Sequence, residues 1–159
     1  TIATRSDPNK KLDAALADIL AAWPAPGSLP VGQIHADLFP DNVFFLEEGG
    51  VPRVSGLIDF YFACTEIRAW DLAVTHVSWS FDAENAYLAD VGAALVSGYD
   101  ESFGRTGAER AAFSILARGA CLRFLLTRAW DWLNTPADAL GTRKDPMAFL
   151  SRLEHYAAL

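Results

Sequence analysis

HADLFPDN, at residues 35–42, is the polar stretch on which the interpretation of this chain depends. An apolar run follows it at 43–46, then the turn sequence EEGG at 47–50 and a second apolar run at 54–58. Two apolar runs joined by a short turn predict a β-hairpin, because glycine adopts positive φ angles without penalty. We find no second convincing hairpin signal in the sequence.

Oxygen-bearing side chains stand at both ends of this hairpin. Asp37 and Asn42 precede the outgoing strand, and Asp59 directly follows the returning strand. Because a hairpin brings its ends together, we expect these three side chains to converge. Oxygen ligands of this kind suit Mg²⁺, which shares them with substrate phosphates. A simpler interpretation remains open, since Asp, Asn and Pro at 40–42 are also ordinary turn residues.

The rest of the chain has helical periodicity. An Asp-Pro pair, the combination of a cap and a first-turn proline, begins the first and the last predicted helix. The predicted helices run from Asp7-Pro8 to Trp23, over 68–79, 83–99 and 107–133, and from Asp145-Pro146 to the C-terminus. The predicted fold class is therefore mainly α with a small β-hairpin. Most tryptophans recur at helical spacing, and we expect Trp70, Trp79, Trp130 and Trp132 to lie in the core.

Composition limits the classes of function. The chain has 159 residues, of which 52% are hydrophobic, so a single domain over 1–159 with a sizeable core is expected. Its net charge of −7 lacks the basic excess of a general nucleic-acid binder. Two cysteines make no disulfide framework, and neither a long apolar span nor a signal peptide is evident, so we expect a cytoplasmic protein.

The motif pair resembles a known enzyme family. His-x-Asp-x-x-x-x-Asn, followed after a hairpin by Ile-Asp-Phe, is similar to the catalytic and metal-binding loops of kinase-like phosphotransferases. The variant here resembles the aminoglycoside phosphotransferase and choline kinase branch, which phosphorylates small-molecule hydroxyls. The stretches TRSDPNKKL, GLIDFYFAC and RAWDWLNTP resemble the homoserine kinases within it. The resemblance implies the C-terminal lobe of the protein kinase-like fold, with ATP and Mg²⁺ as cofactors and homoserine as the acceptor in threonine biosynthesis.

The resemblance also implies roles for five residues. Asp37 would be the catalytic carboxylate that orients the acceptor hydroxyl, and Asn42 and Asp59 would bind Mg²⁺. His35 would pack and hydrogen-bond to hold the loop. Asp71 would brace the same loop through backbone N–H groups, although a carboxylate in the first turn of a helix is also favoured by the helix dipole.

Substrate binding is less apparent from the sequence. Homoserine carries an ammonium and a carboxylate, so its site requires both an acidic and a basic group. Arg128 and Asp131 share a face of the long helix, and Tyr61 and Glu66 closely follow the second motif. Arg128 and Asp131 could equally form a local ion pair on a solvated face.

Two features of a complete kinase site are missing from the sequence. There is no G-x-G-x-x-G, and no lysine lies in a strand before the HADLFPDN stretch. We therefore expect that the N-terminal ATP-binding lobe is absent from this chain, and that the isolated chain is inactive without it. In the two-lobed enzyme Ile58 would contribute to the floor of the adenine slot.

Three alternatives remain open on sequence grounds. The chain could belong to a related kinase for an aminoglycoside, choline or another small alcohol. It could be a non-catalytic binding module that uses the lobe's fold. A metal hydrolase would need more histidine ligands than the sequence offers.

Overall fold

A computed structural model describes residues 8–136 and 144–159. Within these residues the protein has five α-helices, two short 3₁₀ turns and two small antiparallel sheets. The elements are α1 Pro8–Ala22, β1 Val31–Ile34, β2 Val43–Glu48, β3 Val51–Leu57, β4 Cys64–Ile67, α2 Arg68–Trp79, α3 Ala89–Ser102, α4 Gly107–Asn134 and α5 Met147–Ala157. None of the helices in these two ranges combines the length and apolar character needed to cross a membrane.

The predicted hairpin is present as β2 and β3. Its register pairs Val43 with Leu57 and Glu48 with Val51, with one irregularity after Phe44. Gly49 and Gly50 form the turn with φ of 63° and 81°, the left-handed region that glycine tolerates best. The hairpin therefore places the segments before β2 and after β3 side by side.

A second two-stranded sheet pairs β1 with β4, and the sequence did not predict it. Val31 lies opposite Ile67 and Ile34 opposite Cys64. Each strand has only four residues, and the partners are separated by the whole hairpin, so no local pattern signals the pairing. Because β1 leads directly into His35 and β4 follows the turn after Asp59, this sheet ties together the outer ends of both motif loops.

The core lies where α4 crosses α2 and is covered by α5. Small residues allow α2 and α4 to approach closely, since Ala69, Ala73, Ala117 and Ala120 have no exposed surface. Larger side chains fill the remaining space. Those that are almost fully buried include Leu72, Val74, Val77, Leu116, Phe149, Leu153 and Tyr156.

The predicted helix over 83–99 begins too early. The structure starts α3 at Ala89, and the Asp82 carboxylate accepts hydrogen bonds from the amides of Glu84 (3.0 Å) and Ala86 (2.8 Å). An aspartate that bonds amides just after itself offers the backbone an alternative to a helix. The prediction of core tryptophans is also wrong for α4, since Trp130 is 68% and Trp132 45% exposed.

Gly119 on α4 gives room to the indole of Trp23, which follows α1. A Cβ at position 119 would lie 2.5 Å from Cζ3 of Trp23 and 3.3 Å from Cζ3 of Trp70. We expect Gly119→Ala to lower the free energy of unfolding by about 1–3 kcal/mol, because both rings must move to relieve the overlap.

Urea denaturation of the chain measures this effect. Gly98→Ala on α3 is the matched control, since no atom lies within 4 Å of the added Cβ there. The control should leave stability unchanged or raise it by roughly 0.5–1 kcal/mol through helix propensity. Equal stability of the two variants would contradict the expected overlap at Trp23.

Candidate active site

The HADLFPDN loop is held in place by α2 and by the end of the hairpin. Asp71 Oδ2 accepts a hydrogen bond from the His35 amide (3.1 Å), and Oδ1 accepts one from the Ala36 amide (2.8 Å). His35 is buried, and its Nε2 donates to the Ile58 carbonyl oxygen at 2.8 Å. The structure thus contains the Asp71 hydrogen bonds to backbone N–H groups that the sequence led us to expect. His35 links the two motif loops.

Asp37, Asn42 and Asp59 line one cavity of about 580 Å³. Asn42 Nδ2 donates to the Asp37 carbonyl oxygen at 2.8 Å, and the Ile58 amide donates to the Asn42 carbonyl oxygen at 3.1 Å. Asp59 has a left-handed backbone with φ of 63°, which precedes the 3₁₀ turn Phe60–Phe62. The three oxygen-bearing side chains are therefore brought together at one end of the hairpin.

The electrostatic environment of Asp37 favours a carboxylate that accepts protons readily. Partial burial raises its pKa above the usual range, and the neighbouring charge of Asp59 raises the pKa further. The guanidinium of Arg123 acts in the opposite direction on this pKa, with Nη2 3.7 Å from Asp37 Oδ1.

Arg128 and Asp131 lie on the wall of the cavity formed by α4, together with Thr127 and Trp132. Arg128 donates from Nη1 to the Asp145 carbonyl oxygen at the long distance of 3.5 Å, and its guanidinium lies 4.5 Å from the centre of the Phe149 ring. An acidic and a basic side chain thus face the same space as Asp37.

Three further residues singled out from the sequence are not among the described residues that line this cavity. Tyr61 is 87% exposed, with its ring against Phe62. Glu66 lies on β4, where its Oε1 accepts a hydrogen bond from the Ile67 amide at 2.8 Å. Ile58 is 45% exposed at the end of the hairpin.

The residues present fit a magnesium ion that is shared with a phosphate-bearing substrate. Asn42 uses its Nδ2 on the loop, which leaves Oδ1 as its ligand atom, and Asp59 supplies a carboxylate to the same cavity. Magnesium is commonly held by one or two carboxylates plus substrate phosphates and water. No cluster of three or more His, Cys, Asp or Glu side chains suited to a metal occurs in residues 8–136 and 144–159, so an all-protein cage is not formed there.

The sequence drew attention to Arg123 only as a possible substrate ligand beside Arg128 and Asp131, and it did not predict the contact of Arg123 with the HADLFPDN loop. This residue lies on α4 between Leu122 and Phe124, and its side chain contacts the loop carrying Asp37. The available signal was an arginine inside an apolar helical stretch, because a charged group there requires a partner. The identity of the partner, 87 residues away, requires the tertiary structure.

Two homoserine kinases illustrate the similarity of this chain to curated proteins. It is 57% identical over 148 residues to the homoserine kinase of Gluconacetobacter diazotrophicus. The aligned region covers 93% of this chain and 45% of that protein. It is 61% identical over 134 residues to the homoserine kinase of Zymomonas mobilis, with coverages of 84% and 40%. The chain spans somewhat less than half the length of these relatives.

Solved structures show the same fold. A choline/ethanolamine kinase family protein from Mesorhizobium loti matches with a TM-score of 0.57 and 23% identity, over 99% of this chain and 47% of that one. An ethanolamine kinase from Plasmodium vivax matches with a TM-score of 0.57 and 14% identity, over 98% and 43%. The predicted fold class, the helical lobe of a kinase-like fold with a small hairpin, is confirmed.

The family assignment rests on the sequence itself. Residues 2–107 match the phosphotransferase enzyme family, a segment that includes both motifs, the hairpin and the Asp71 helix. The chain belongs to this phosphotransferase enzyme family.

Proposed function

We propose that this chain is the catalytic lobe of an ATP- and Mg²⁺-dependent homoserine kinase. The observation that carries the proposal is the shared cavity, in which Asp37, Asn42 and Asp59 face Arg128 and Asp131. The high identity to curated homoserine kinases supports this acceptor over other alcohols. Because those relatives are about twice as long, the activity is proposed for a longer protein that carries this chain, with ATP closed between this lobe and a second one.

The reaction transfers the γ-phosphoryl group of ATP to the hydroxyl of L-homoserine. The hydroxyl oxygen forms a bond to the γ-phosphorus while the bond from that phosphorus to the leaving oxygen of ADP breaks. Asp37 accepts the hydroxyl hydrogen and holds the oxygen in line for the transfer, and the proton then leaves with the phosphate product or to water. A magnesium ion held by Asn42 and Asp59 would neutralise charge on the phosphate oxygens.

The α4 wall would bind the amino-acid part of the acceptor. Arg128 presents a guanidinium, which recognises a carboxylate through paired hydrogen bonds, and Asp131 presents a carboxylate for the ammonium. His35 and Asp71 hold the loop, and Ile58 contributes to an adenine slot that the second lobe completes. Tyr61 and Glu66 lie outside the lining of this cavity. Their proposed contact with the acceptor requires that the second lobe extend the site toward them.

A phosphorylation assay with several acceptors tests the proposed acceptor. The longer protein should phosphorylate homoserine with a far higher kcat/KM than choline, ethanolamine or an aminoglycoside. Choline is the relevant competitor, because Trp132 lines the cavity beside Asp131 and an aromatic ring with a carboxylate suits a quaternary ammonium. Activity on choline without activity on homoserine would reverse the assignment.

Arg128→Met should raise the KM for homoserine about 10- to 100-fold while the KM for ATP stays within about twofold. The expected loss corresponds to a charge-assisted hydrogen-bond pair to the acceptor carboxylate. Initial rates at varied homoserine and at varied ATP separate the two constants.

Arg110→Met is the matched control for this change. Arg110 is an exposed arginine of the same helix and lies 3.8 Å from Asp100, and it is not among the described residues that line the cavity. An unchanged KM for homoserine in the Arg128 variant would remove Arg128 from the acceptor site.

A further inference from the structure

The backbone of Ala36 is held in a conformation that alanine disfavours. Its φ is 62°, in the left-handed region, where Cβ crowds the neighbouring carbonyl oxygen. Ala36 directly precedes Asp37, so this conformation determines the direction in which the Asp37 side chain leaves the loop. Such a conformation persists only where surrounding contacts impose it.

Two helices impose it from opposite sides of the residue. The Ala36 amide donates to Asp71 Oδ1 of α2 at 2.8 Å, and the Ala36 carbonyl oxygen accepts from Arg123 Nη1 of α4 at 2.6 Å. Both helices belong to the core, so their side chains provide a rigid frame. Asp71 therefore fixes the amide of Ala36, and Arg123 fixes its carbonyl group.

The same guanidinium reaches both motif loops. Its Nη2 lies 3.7 Å from Asp37 Oδ1, and its central carbon lies 4.8 Å from the centre of the Phe62 ring in the turn after Asp59. The Phe124 ring of α4 lies 4.6 Å away and supports the guanidinium from its own helix. One side chain therefore connects the loop of Asp37 with the turn that follows Asp59.

We propose that Arg123 is a positioning residue, which keeps Ala36 left-handed and thereby aims the Asp37 carboxylate at the acceptor hydroxyl. This inference rests on the proposed phosphotransfer and adds to it a residue of α4 that lines the cavity and donates a hydrogen bond to the loop carrying Asp37. Because its hydrogen bond goes to the Ala36 carbonyl oxygen, we expect its loss to misalign the reacting groups more than it weakens binding of the acceptor. The effect is therefore on kcat rather than on KM.

Kinetics in the longer protein that carries this chain test the proposal. Arg123→Met should lower kcat about 100-fold, the effect expected of a misplacement near 1 Å, with both KM values within about threefold. Arg123→Lys keeps one donor for the Ala36 carbonyl oxygen and should recover part of the loss. Arg118→Met, on the same helix but 3.7 Å from Asp18, is the matched control and should leave kcat nearly unchanged.

A second substitution separates positioning from a general structural role. Glycine adopts the left-handed region freely, so Ala36→Gly should raise kcat several-fold in the Arg123→Met background. A general loss of stability would not be relieved by that change. A wild-type kcat in Arg123→Met, or equal losses in the Arg118 and Arg123 variants, would overturn the proposal.

NMR on the chain itself distinguishes failure of this inference from failure of the proposed function. The Cα and Cβ chemical shifts of Ala36 report its backbone conformation and should lose their left-handed values in Arg123→Met but not in Arg118→Met. Unchanged Ala36 chemical shifts would overturn the positioning role of Arg123, whether or not the longer protein phosphorylates homoserine. If the Ala36 shifts change in Arg123→Met but the longer protein has no kinase activity, the positioning role of Arg123 is supported and the proposed function is refuted.

Discussion

Asp37→Ala is expected to lower the kcat of the proposed homoserine phosphorylation about 10²- to 10⁴-fold in the longer protein, the range lost with a positioned base. The carboxylate lies in the same cavity as Asn42 and Asp59, and its pKa is raised by burial and by Asp59. Without it the acceptor hydroxyl loses both its orienting hydrogen bond and its proton acceptor. Folding should persist, because the substitution removes a carboxylate that is costly to bury.

The measurement is steady-state phosphorylation by the longer protein, with thermal unfolding recorded in parallel. Asp41→Ala is the matched control, since Asp41 lines the same cavity but is exposed, with its carboxylate 3.3 Å from Lys144 Nζ. We expect the control to retain activity within about threefold, as for loss of an exposed ion pair. Near-normal turnover by Asp37→Ala would exclude Asp37 from the catalytic step.

Glu109→Ala is expected to lower the free energy of unfolding by about 3 kcal/mol, as for a broken buried ion pair. Glu109 has no exposed surface, and its Oε1 and Oε2 accept hydrogen bonds from Arg68 at 2.7 and 2.9 Å. Oε2 also accepts from the Thr106 amide at 2.8 Å, and the Thr106 side chain in turn caps α4. The substitution thus removes the Glu109 half of the capping box and leaves Arg68, at the start of α2, without its carboxylate.

The same pair predicts how stability depends on pH. Arg68 and the Thr106 bonds lower the pKa of Glu109 from 4.5 to about 2, so folding favours its ionised form. The stabilisation is complete above the unfolded value of 4.5 and is lost as the pH falls from there toward about 2. The difference in the free energy of unfolding between wild type and Glu109→Ala should therefore become smaller as the pH falls from 4.5 toward about 2.

Urea denaturation of the chain at about pH 7 and about pH 3 measures both effects. Glu154→Ala is the matched control, because Glu154 pairs with Lys11 at 3.2 Å with both side chains more than half exposed. Such an exposed pair contributes at most about 1 kcal/mol. Equal losses in the two variants would contradict the structural importance assigned to the Glu109 pair.

Much of the candidate site was predictable because its signals are local. The apolar runs and the two-glycine turn predict the hairpin, and a hairpin brings the segments that carry Asn42 and Asp59 together, with Asp37 in the loop just before them. Helices α2 and α4 were predicted almost to their boundaries from apolar periodicity. Interactions of this kind involve neighbours in the chain, so the sequence expresses them directly.

The features that the sequence did not predict depend on a few specific hydrogen bonds, some local and some between distant segments. Asp82 redirects residues that have helical periodicity, and the pairing of β1 with β4 joins two four-residue strands across the hairpin. Neither feature leaves a periodic pattern, because each depends on a small number of specific hydrogen bonds.

The sequence by itself predicted the chemistry that we propose for this protein, since the residue types and spacing of the two motifs favour oxygen ligands and their family resemblance implies a catalytic carboxylate. Only the tertiary structure decided which residues of the helical region line the cavity that contains these side chains. It brings Arg128 and Asp131 to the cavity and places Arg123 against Ala36, 87 residues away. The physical reason is that the side of α4 facing the loop depends on how α4 packs on α2, and that packing follows from the shape of the whole core rather than from any local pattern.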